Sequence, residues 1–404
     1  MKKMIAILLV LCQVLGGVIG FLTYRNGAPA ATAGTESPAA TETPAASAAP
    51  AETVSEPESL DLAALYATRA PEEVVMVVDG REETWDTYFY FLASQADYVE
   101  DFFATMESYY GLELKWSDVA EGDDETYADL AAESVEEALR QFATIEGFAR
   151  ANGVELTEEN RQTMAEQLAA DMAAVCGEDA TEADFEEYLA GLYMSRDMYD
   201  RINTVNLLYQ ETFRQLYGED GEAMEEAAVL QYLADNEYLS ANHILLLTED
   251  PTTGEALDEA AAAEKLATAE KLAEELQAIE DETELLARFA QLKEEYCEDS
   301  GKAVYPAGYT FTPGTMVTEF EDACKALENY QVSDPIKSSY GYHVIVKLPL
   351  DADALLLGSS GEALTARASA ANTEYGQRLQ AYLDGMETEY AEGFEVPNLL
   401  KYVK

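Results

Sequence analysis

The stretch that decides the fold runs from Ala241-Asn-His-Ile-Leu-Leu-Leu247 to Ser338-Ser-Tyr-Gly-Tyr-His-Val-Ile-Val346. Its two ends carry His243 and His343, the only two histidines in a chain of 404 residues. Each histidine precedes an apolar, β-prone run, which is typical of a buried strand. We therefore predict that the two strands pair and bring the histidines together.

Between these strands the apolar residues recur with a helical period. This spacing predicts helices over residues 264–279, 283–296 and 317–327. Residues 297–313 contain Gly301, Pro306, Gly308 and Pro313, which predict a loop, and residues 331–337 form a short extended segment. The order β-α-α-loop-α-β-β predicts a small α+β domain over residues 238–350.

Five short motifs in this stretch carry a resemblance to a known family. They are Ala241-Asn-His-Ile-Leu-Leu246, Phe289-Ala-Gln-Leu-Lys-Glu-Glu-Tyr296, Gly314-Thr-Met-Val-Thr-Glu-Phe-Glu-Asp-Ala323, Val332-Ser-Asp-Pro-Ile336 and Tyr340-Gly-Tyr-His-Val-Ile-Val346. In this order and at this spacing they resemble the parvulin family of peptidyl-prolyl isomerases. The resemblance covers about a quarter of the chain and implies a parvulin fold for it.

The resemblance also implies a set of catalytic residues. His243 and His343 match the paired histidines that the family places back to back on adjacent strands. Asp299 falls at the family's polar Cys-or-Asp position, and Ser338 falls where a threonine hydroxyl usually holds the histidine network. The usual serine before the first histidine is replaced by Asn242.

A second set of residues matches the family's substrate pocket. Met316 and Phe320 are four residues apart, so they share one helix face, and they match the pocket that receives the proline ring. The family's Gly-Gly-Asp-Leu-Gly is replaced here by Tyr305-Pro-Ala-Gly-Tyr309. We expect Tyr309 or Phe311 to take the place of the missing leucine. This departure bears on catalytic competence more than on the fold.

The region over residues 61–237 is predicted to be mainly α-helical. Residues 74–78 read as a strand, and Thr84 is expected to cap the helix that follows. Further helices are predicted over residues 127–151 and 222–236 and after the capping residues Thr157, Thr181 and Ser195. Aromatic and methionine stripes on these helices favour a packed core, and they could also line a groove for unfolded chains.

The order of these parts resembles the extracytoplasmic foldases of the PrsA and SurA type. Such proteins have a signal or anchor, a strand followed by helices, a parvulin domain and a C-terminal helix. Residues 373–390 supply the last of these as a predicted helix within the C-terminal segment 351–404, and we expect it to complete the core of the helical domain.

The N-terminus predicts export. Lys2 and Lys3 precede an apolar run over residues 4–22, which is near the length that a bilayer-spanning helix needs. We interpret residues 1–27 as an uncleaved anchor, with a cleaved signal peptide as the alternative, since Ala28-Pro-Ala30 fits a small-residue site. Residues 28–60 are rich in Ala, Thr, Pro and Glu and predict a disordered linker.

Composition excludes several classes of function. The chain has 79 acidic and 24 basic residues, a net charge of −55, which opposes binding to nucleic acid. This charge would instead attract basic unfolded chains. The four cysteines are spaced neither as a disulfide framework nor as a zinc site. We expect no metal and no cofactor, because rotation about an X-Pro bond requires neither.

The sequence therefore predicts a prolyl isomerase and foldase held at the cell membrane, with its folded domains outside the cytoplasm. Its partners would be unfolded or partly folded exported polypeptides that contain X-Pro bonds. Two alternatives remain open at this point. One is a holdase chaperone whose parvulin domain binds without turnover, and the other is an acidic surface adhesion or scaffold protein. The sequence leaves the oligomeric state undetermined.

Overall fold

A computed structural model describes residues 58–120, 124–249, 253–357 and 364–404. The predicted anchor over residues 1–27 and almost all of the predicted linker over residues 28–60 lie outside these ranges. Within them, no helix is both long enough and apolar enough to cross a membrane. The fold is mixed, with helices predominating in the first half and a sheet with flanking helices in the second.

The elements of the first half are α1 (Leu62–Tyr66), β1 (Val74–Val78), β2 (Arg81–Thr84), α2 (Trp85–Tyr110), α3 (Tyr127–Ala151), α4 (Glu158–Cys176), α5 (Glu182–Gly191), α6 (Arg196–Tyr217) and α7 (Glu226–Asp235). The second half contains β3 (Leu239–Leu247), α8 (Glu259–Gln277), α9 (Glu282–Tyr296), β4 (Tyr309–Phe311), α10 (Thr318–Ala326), β5 (Ile336–Lys337), β6 (Gly341–Leu348), β7 (Leu355–Leu356), β8 (Leu364–Thr365), α11 (Ala366–Asp384) and β9 (Thr388–Tyr390). Short 3₁₀ turns occur at Ser300–Ala303 and Leu399–Tyr402.

The chain divides into two compact units. The first contains the described residues up to 215 together with 377–404, and the second contains those over 216–376. The bounds of these units differ from those of the predicted domains, 61–237 and 238–350, because each boundary of the second unit falls inside a helix, α6 or α11. The second unit thus includes α7 and the start of α11 besides the parvulin-like stretch.

Helix starts in the first unit are set by threonine caps. The side chain of Thr84 accepts a hydrogen bond from the Thr87 backbone N–H and begins α2. Thr157 and Thr181 form capping boxes with Asn160 and Asp184 at the starts of α4 and α5. Each box satisfies two backbone N–H groups that the first turn leaves without helical partners. The predicted starts of these three helices are confirmed.

The core of the first unit lies between α2, α3 and a three-stranded sheet. The sheet order is β2-β1-β9, and both neighbours run antiparallel to β1. The largest fully buried side chains of this core are aromatic, and they include Trp85 and Phe89 of α2, Trp116 between α2 and α3, Phe142 of α3 and Tyr199 of α6. Met386, which follows α11, belongs to the same cluster.

A buried ion-pair network joins three elements of the first unit. Arg201 of α6 donates to both carboxylate oxygens of Glu83 on β2, at 2.7 and 3.0 Å. It also donates to both oxygens of Glu146 on α3, at 3.0 and 2.9 Å. Glu83 is only 1% exposed, so the two forked contacts of the guanidinium offset the desolvation of this buried carboxylate.

The second unit is built on a six-stranded sheet. Its order is β5-β6-β3-β4-β7-β8, and all neighbours are antiparallel except β4 and β7, which are parallel. Apolar side chains of α8 and α9, including Leu272, Leu276 and Phe289, pack on one cluster with Ile244 and Leu246 of β3. The predicted β-α-α and α-β-β segments are therefore present in the predicted order.

Two predicted element bounds are corrected by the structure. The predicted loop over residues 297–313 contains β4, which extends the sheet beyond β3. The predicted helix over 373–390 occupies Ala366–Asp384 instead and ends one residue before Gly385. Thr388–Tyr390 is a strand whose backbone pairs with Val78 and Met76 of β1, so pairing with an available sheet edge outweighed the helical spacing of the sequence.

Candidate active site

The two histidines lie on the central antiparallel pair of strands. In the register of β3 and β6, His243 is opposite Ile345 and His343 is opposite Leu245. The histidines are therefore diagonal neighbours on one face of the sheet, a spacing that long side chains bridge. Their Nδ1 atoms are 3.1 Å apart, which confirms the predicted strand pairing and the meeting of the histidines.

A continuous chain of hydrogen bonds extends from this pair in both directions. On one side, His243 Nε2 lies 3.0 Å from Asp299 Oδ2, and the Tyr309 hydroxyl donates to the same oxygen at 2.6 Å. On the other side, His343 Nε2 lies 2.7 Å from Ser338 Oγ. All four predicted catalytic residues are thus brought into one network, which also includes Tyr309 and in which only Asp299 is half-buried rather than buried.

Charge fixes the direction of the first of these hydrogen bonds, because the Asp299 carboxylate only accepts and His243 Nε2 therefore donates. Where His243 Nδ1 accepts, His343 donates from its own Nδ1 and accepts at Nε2 from the Ser338 hydroxyl. A single proton sits between the two Nδ1 atoms, so the pair cannot be doubly protonated without placing two N–H groups against each other.

Burial and neighbouring groups shift the titration of the network. Burial, then the neighbouring His243, lowers the pKa of His343 to about 3, so the His343 ring is neutral at pH 7. Burial alone would raise the pKa of Asp299. Hydrogen bonds from His243, Tyr309 and the Gly301 backbone N–H outweigh burial and hold that pKa well below its usual range. Burial and this carboxylate raise the pKa of Tyr309, which stays a donor.

A tight turn places Ser338 beside His343. The Ser338 backbone N–H donates to the Gly341 carbonyl at 2.9 Å, and the Tyr340 N–H donates to Ser338 Oγ at 3.2 Å. A Cβ at residue 341 would lie 2.1 Å from the Leu246 carbonyl oxygen, so only glycine lets β6 begin this close to β3. The turn thereby orients the hydroxyl at the end of the network.

Aromatic side chains cover the histidine pair. The Phe320 ring of α10 meets His243 edge-to-face at 5.2 Å between centroids and meets His343 at 5.6 Å. Phe311 lies 5.8 Å from the Phe320 ring. The four predicted pocket residues share one apolar cluster, in which Met316 is half-buried and the others are buried: Tyr309, Phe311, Met316 and Phe320. The structure thus brings together all the predicted substrate-binding residues.

Glu321 fixes the segment that carries Met316. Its carboxylate accepts hydrogen bonds from the Gly314 and Met316 backbone N–H groups, at 2.7 and 2.9 Å. The side chain is buried and lies 3.6 Å from the Lys325 ammonium. Glu321 was not among the predicted site residues, although a glutamate within the first turn of a helix is a recognised signal of such backbone contacts.

Comparison with known proteins agrees with this geometry. A family model for the PPIC-type peptidyl-prolyl isomerase domain, or rotamase, matches residues 243–348. The match begins at one histidine of the pair and ends with the strand that carries the other. Residues 243–348 are a parvulin-type domain.

Relatives of the chain are foldases by name. The foldase protein PrsA of Oceanobacillus iheyensis is 29% identical over 224 residues, which is 55% of this chain and 62% of that protein. The PrsA foldase of a Geobacillus strain is 47% identical over 78 residues, or 19% of this chain and 26% of that one. The match therefore spans less than two thirds of either relative.

One solved structure also matches the chain. The crystal structure of PrsA from Bacillus subtilis matches with a TM-score of 0.24 and 16% identity, and the match covers 78% of this chain and 91% of that one.

Within the part of the chain that the structure describes, no group of three or more His, Cys, Asp or Glu side chains is placed to hold a metal ion.

Lys293 is a buried residue of the parvulin-type domain that the sequence analysis missed. From α9 its ammonium donates to Asn242 Oδ1 at 2.8 Å and to the carbonyls of Tyr305 and Pro306, at 3.2 and 3.1 Å. Burial lowers its pKa. The lysine thus ties the altered loop before Tyr309 to strand β3. A signal was present, because residue 293 lies four after Phe289 on the buried face of α9.

We expect Lys293→Met to loosen this loop. The substitution keeps an unbranched apolar stem but leaves two carbonyls without their donor, which should cost about 1–3 kcal/mol. Hydrogen exchange of the residue 301–309 amides in the full chain should accelerate. Leu364→Met, an exposed position of the same unit, is the control. Unchanged exchange in Lys293→Met would show that the loop holds its place without the lysine.

The depressed pKa of His343 predicts acid sensitivity of the second unit. In the unfolded chain the His343 ring binds a proton as the pH falls below 6.5, whereas in the folded chain it does so only near pH 3. Stability from this group is therefore complete above pH 6.5 and is lost towards pH 3, by up to about 1.4 kcal/mol per pH unit. Protection of β3 and β6 amides from hydrogen exchange between pH 4 and 6.5 should show this slope.

His343→Gln should remove that slope. Asp299→Asn is the matched comparison, since the lowered pKa of Asp299 confines its effect to pH values below the ordinary 3.8. In that variant the dependence between pH 4 and 6.5 should persist. An unchanged slope in His343→Gln would contradict the assignment of the acid sensitivity to this ring.

Proposed function

We propose that the chain is a peptidyl-prolyl isomerase and foldase for exported polypeptides. The observation that carries the proposal is the apolar cluster of Tyr309, Phe311, Met316 and Phe320 packed directly on the buried histidine network. The family model over residues 243–348 and the printed names of the relatives, foldase protein PrsA, support it.

Rotation about an X-Pro bond requires no covalent step between enzyme and substrate. The X-Pro amide loses its resonance at the twisted state, and the barrier in water is about 20 kcal/mol. The twisted amide is less polar than the planar one, so a dry apolar site lowers its energy relative to the planar form. Met316, Phe320 and Phe311 supply such a surface for the proline ring, and Tyr309 closes it next to Asp299.

The histidines act in this proposal as positioning residues. Both residues are buried, with exposures of 4% for His243 and 3% for His343. A bound substrate can therefore contact only a small part of either ring. The network instead holds Asp299, Tyr309 and Ser338 in fixed orientations around the pocket. Preorganised polar groups stabilise a changing charge distribution without reorganising during the reaction.

The two proposed activities, prolyl isomerisation and client binding, are assigned to the domains predicted from the sequence. Residues 238–350 would carry the isomerase, and residues 61–237 with the C-terminal segment would hold clients. Tyr109 and Tyr110 at the end of α2 support the second role, since they are exposed by 80% and 69%. The apolar run over residues 4–22 supports membrane attachment with the folded domains outside the cytoplasm. Cleavage of these domains by a protease added to intact cells would test this location.

Refolding of a client tests the foldase activity. The full chain should accelerate the slow phase of a reduced, unfolded protein whose refolding is limited by prolyl isomerisation, a step that takes tens of seconds without a catalyst. Met316→Ala should lose most of this acceleration, whereas Leu364→Ala, an exposed position away from the cluster, should retain it. A wild-type chain that leaves the slow phase unchanged would remove the proposed function.

A further inference from the structure

A cavity of about 530 Å³ lies in the second unit, beside β3. Side chains alternate between the faces of a strand, so Asn242, which lines this cavity, faces away from the side occupied by His243. Phe289 of α9, Tyr305 of the altered loop and Leu355 of β7 form other parts of the wall. The cavity is thus on the opposite face of the sheet from the histidine network.

Exposed apolar side chains converge on this cavity. Leu286, Val304 and Leu355 line it and are exposed by 36%, 56% and 40%. They come from three different elements: α9, the loop before β4, and β7. Apolar groups from separate elements that meet at one concave surface are the usual mark of a binding site.

One polar group at the cavity has no hydrogen-bond partner among the described residues. Asn242 is 9% exposed, and its side-chain oxygen accepts from the Lys293 ammonium at 2.8 Å and the His243 backbone N–H at 2.9 Å. Because both of these groups only donate, the oxygen must face them and the amide nitrogen must point elsewhere. Among the described residues no acceptor takes a hydrogen bond from that nitrogen, so this donor is open to a ligand that carries an acceptor.

Charge selects among the possible occupants. Asp351 lines the cavity with an exposed carboxylate, and the whole chain has a net charge of −55. A second copy would be repelled by this charge. The chain's own residues 28–57 contain no lysine or arginine and a single bulky apolar residue, Val54. A foreign basic and apolar polypeptide segment fits better than either.

We propose that this cavity is a second polypeptide-binding site, separate from the prolyl pocket. It takes an extended segment of an unfolded chain in which a bulky apolar residue adjoins a lysine or arginine. The apolar side chain lies between Leu286, Val304 and Leu355, a backbone carbonyl accepts from the Asn242 amide nitrogen, and the basic side chain approaches Asp351. Such a site would retain a client while its X-Pro bonds exchange at the other face.

A proline-free peptide with alternating Phe and Lys residues, blocked at both ends, is the probe. Titrated into the methyl-labelled full chain, it should shift the methyl resonances of Leu286, Val304 and Leu355 at one common Kd. Leu355→Glu should raise the Kd at the Leu286 and Val304 methyls about tenfold, since the loss of one apolar contact at the wall corresponds to about 1.4 kcal/mol and the added carboxylate is matched in the control variant.

Leu364→Glu is the matched control. Leu364 is on β8, which pairs with β7, and it is 50% exposed but does not line the cavity. We expect this variant to bind the probe like the wild type. The inference is overturned if the probe leaves the cavity methyls unshifted, or if Leu355→Glu binds as tightly as Leu364→Glu.

The probe also separates this inference from the proposed isomerase. Because it contains no proline, binding at the cavity without prolyl isomerase activity would contradict only the proposed function. Isomerase activity without binding at the cavity would overturn only the second site.

Discussion

Phe320→Ala is expected to reduce kcat/KM for a proline peptide at least tenfold and to destabilise the second unit. The ring fills the space between Phe311 and the two histidines. Removal of a fully buried phenylalanine side chain costs about 3–5 kcal/mol, since the cavity collapses only in part. The loss of a pocket wall adds to this, because even one apolar group in a substrate pocket is worth about 10–200-fold in specificity.

Two further variants separate the pocket from the fold. Phe320→Leu keeps apolar volume and should cost less than Phe320→Ala in stability, yet it removes the aromatic edge against His243. Met316→Ala removes a half-buried side chain that packs against the same apolar cluster, so stability should change little while kcat/KM falls. Retention of wild-type kcat/KM by both variants would show that this cluster is core rather than substrate pocket.

Arg201→Met is expected to lower the free energy of unfolding of the first unit by about 3–5 kcal/mol. The substitution would leave Glu83 on β2 and Glu146 on α3 without their shared donor. Arg81 lies 3.6 Å from Glu83 and 3.2 Å from Glu146, but it is half exposed and cannot replace the two forked contacts. Hydrogen exchange of the α3 and β2 amides would report the loss.

Arg161→Met provides the surface comparison for Arg201→Met. Arg161 pairs with Glu158 where the two side chains are exposed by 59% and 94%, and such pairs contribute about 0–1 kcal/mol. Arg201→Lys should fall between these two, because lysine keeps the charge but not the planar fork. Equal exchange in Arg201→Met and Arg161→Met would show that the buried network adds no stability.

The sequence predicts helix starts in this chain better than strand register. Threonine caps are local signals, and Thr84, Thr157 and Thr181 begin helices as expected. The register of β3 against β6 could not be predicted, because both strands are long apolar runs that no short turn connects. The diagonal placement of His243 and His343 therefore had to come from the structure. Strand β4 was missed because it has only three residues, inside a loop rich in glycine and proline.

The candidate site likewise contains residues that were predicted from the sequence and residues that only the structure revealed. The resemblance supplied six of the eight predicted site residues, and Tyr309 and Phe311 were predicted where the chain departs from the family pattern; the structure gathers all eight into one network and one cluster. It did not supply Lys293 or Glu321, whose contacts are with backbone groups of this chain's own altered loop and pocket segment. The local signals of both residues, the spacing of Lys293 from Phe289 and the place of Glu321 in the first turn of α10, do not reveal which backbone groups these side chains contact, so neither residue was singled out. Gly308 belongs to the same loop: its φ of +115° and the nearby Ala241 carbonyl both require glycine.

The most direct test of the central claim is the rate of cis–trans exchange in a short proline peptide, measured by NMR exchange spectroscopy with catalytic amounts of the full chain. The account predicts that the wild type and Leu364→Ala accelerate exchange equally and that Met316→Ala accelerates it at least about tenfold less. Exchange in the presence of the wild-type chain at the uncatalysed rate, or equal acceleration by Met316→Ala, would contradict it.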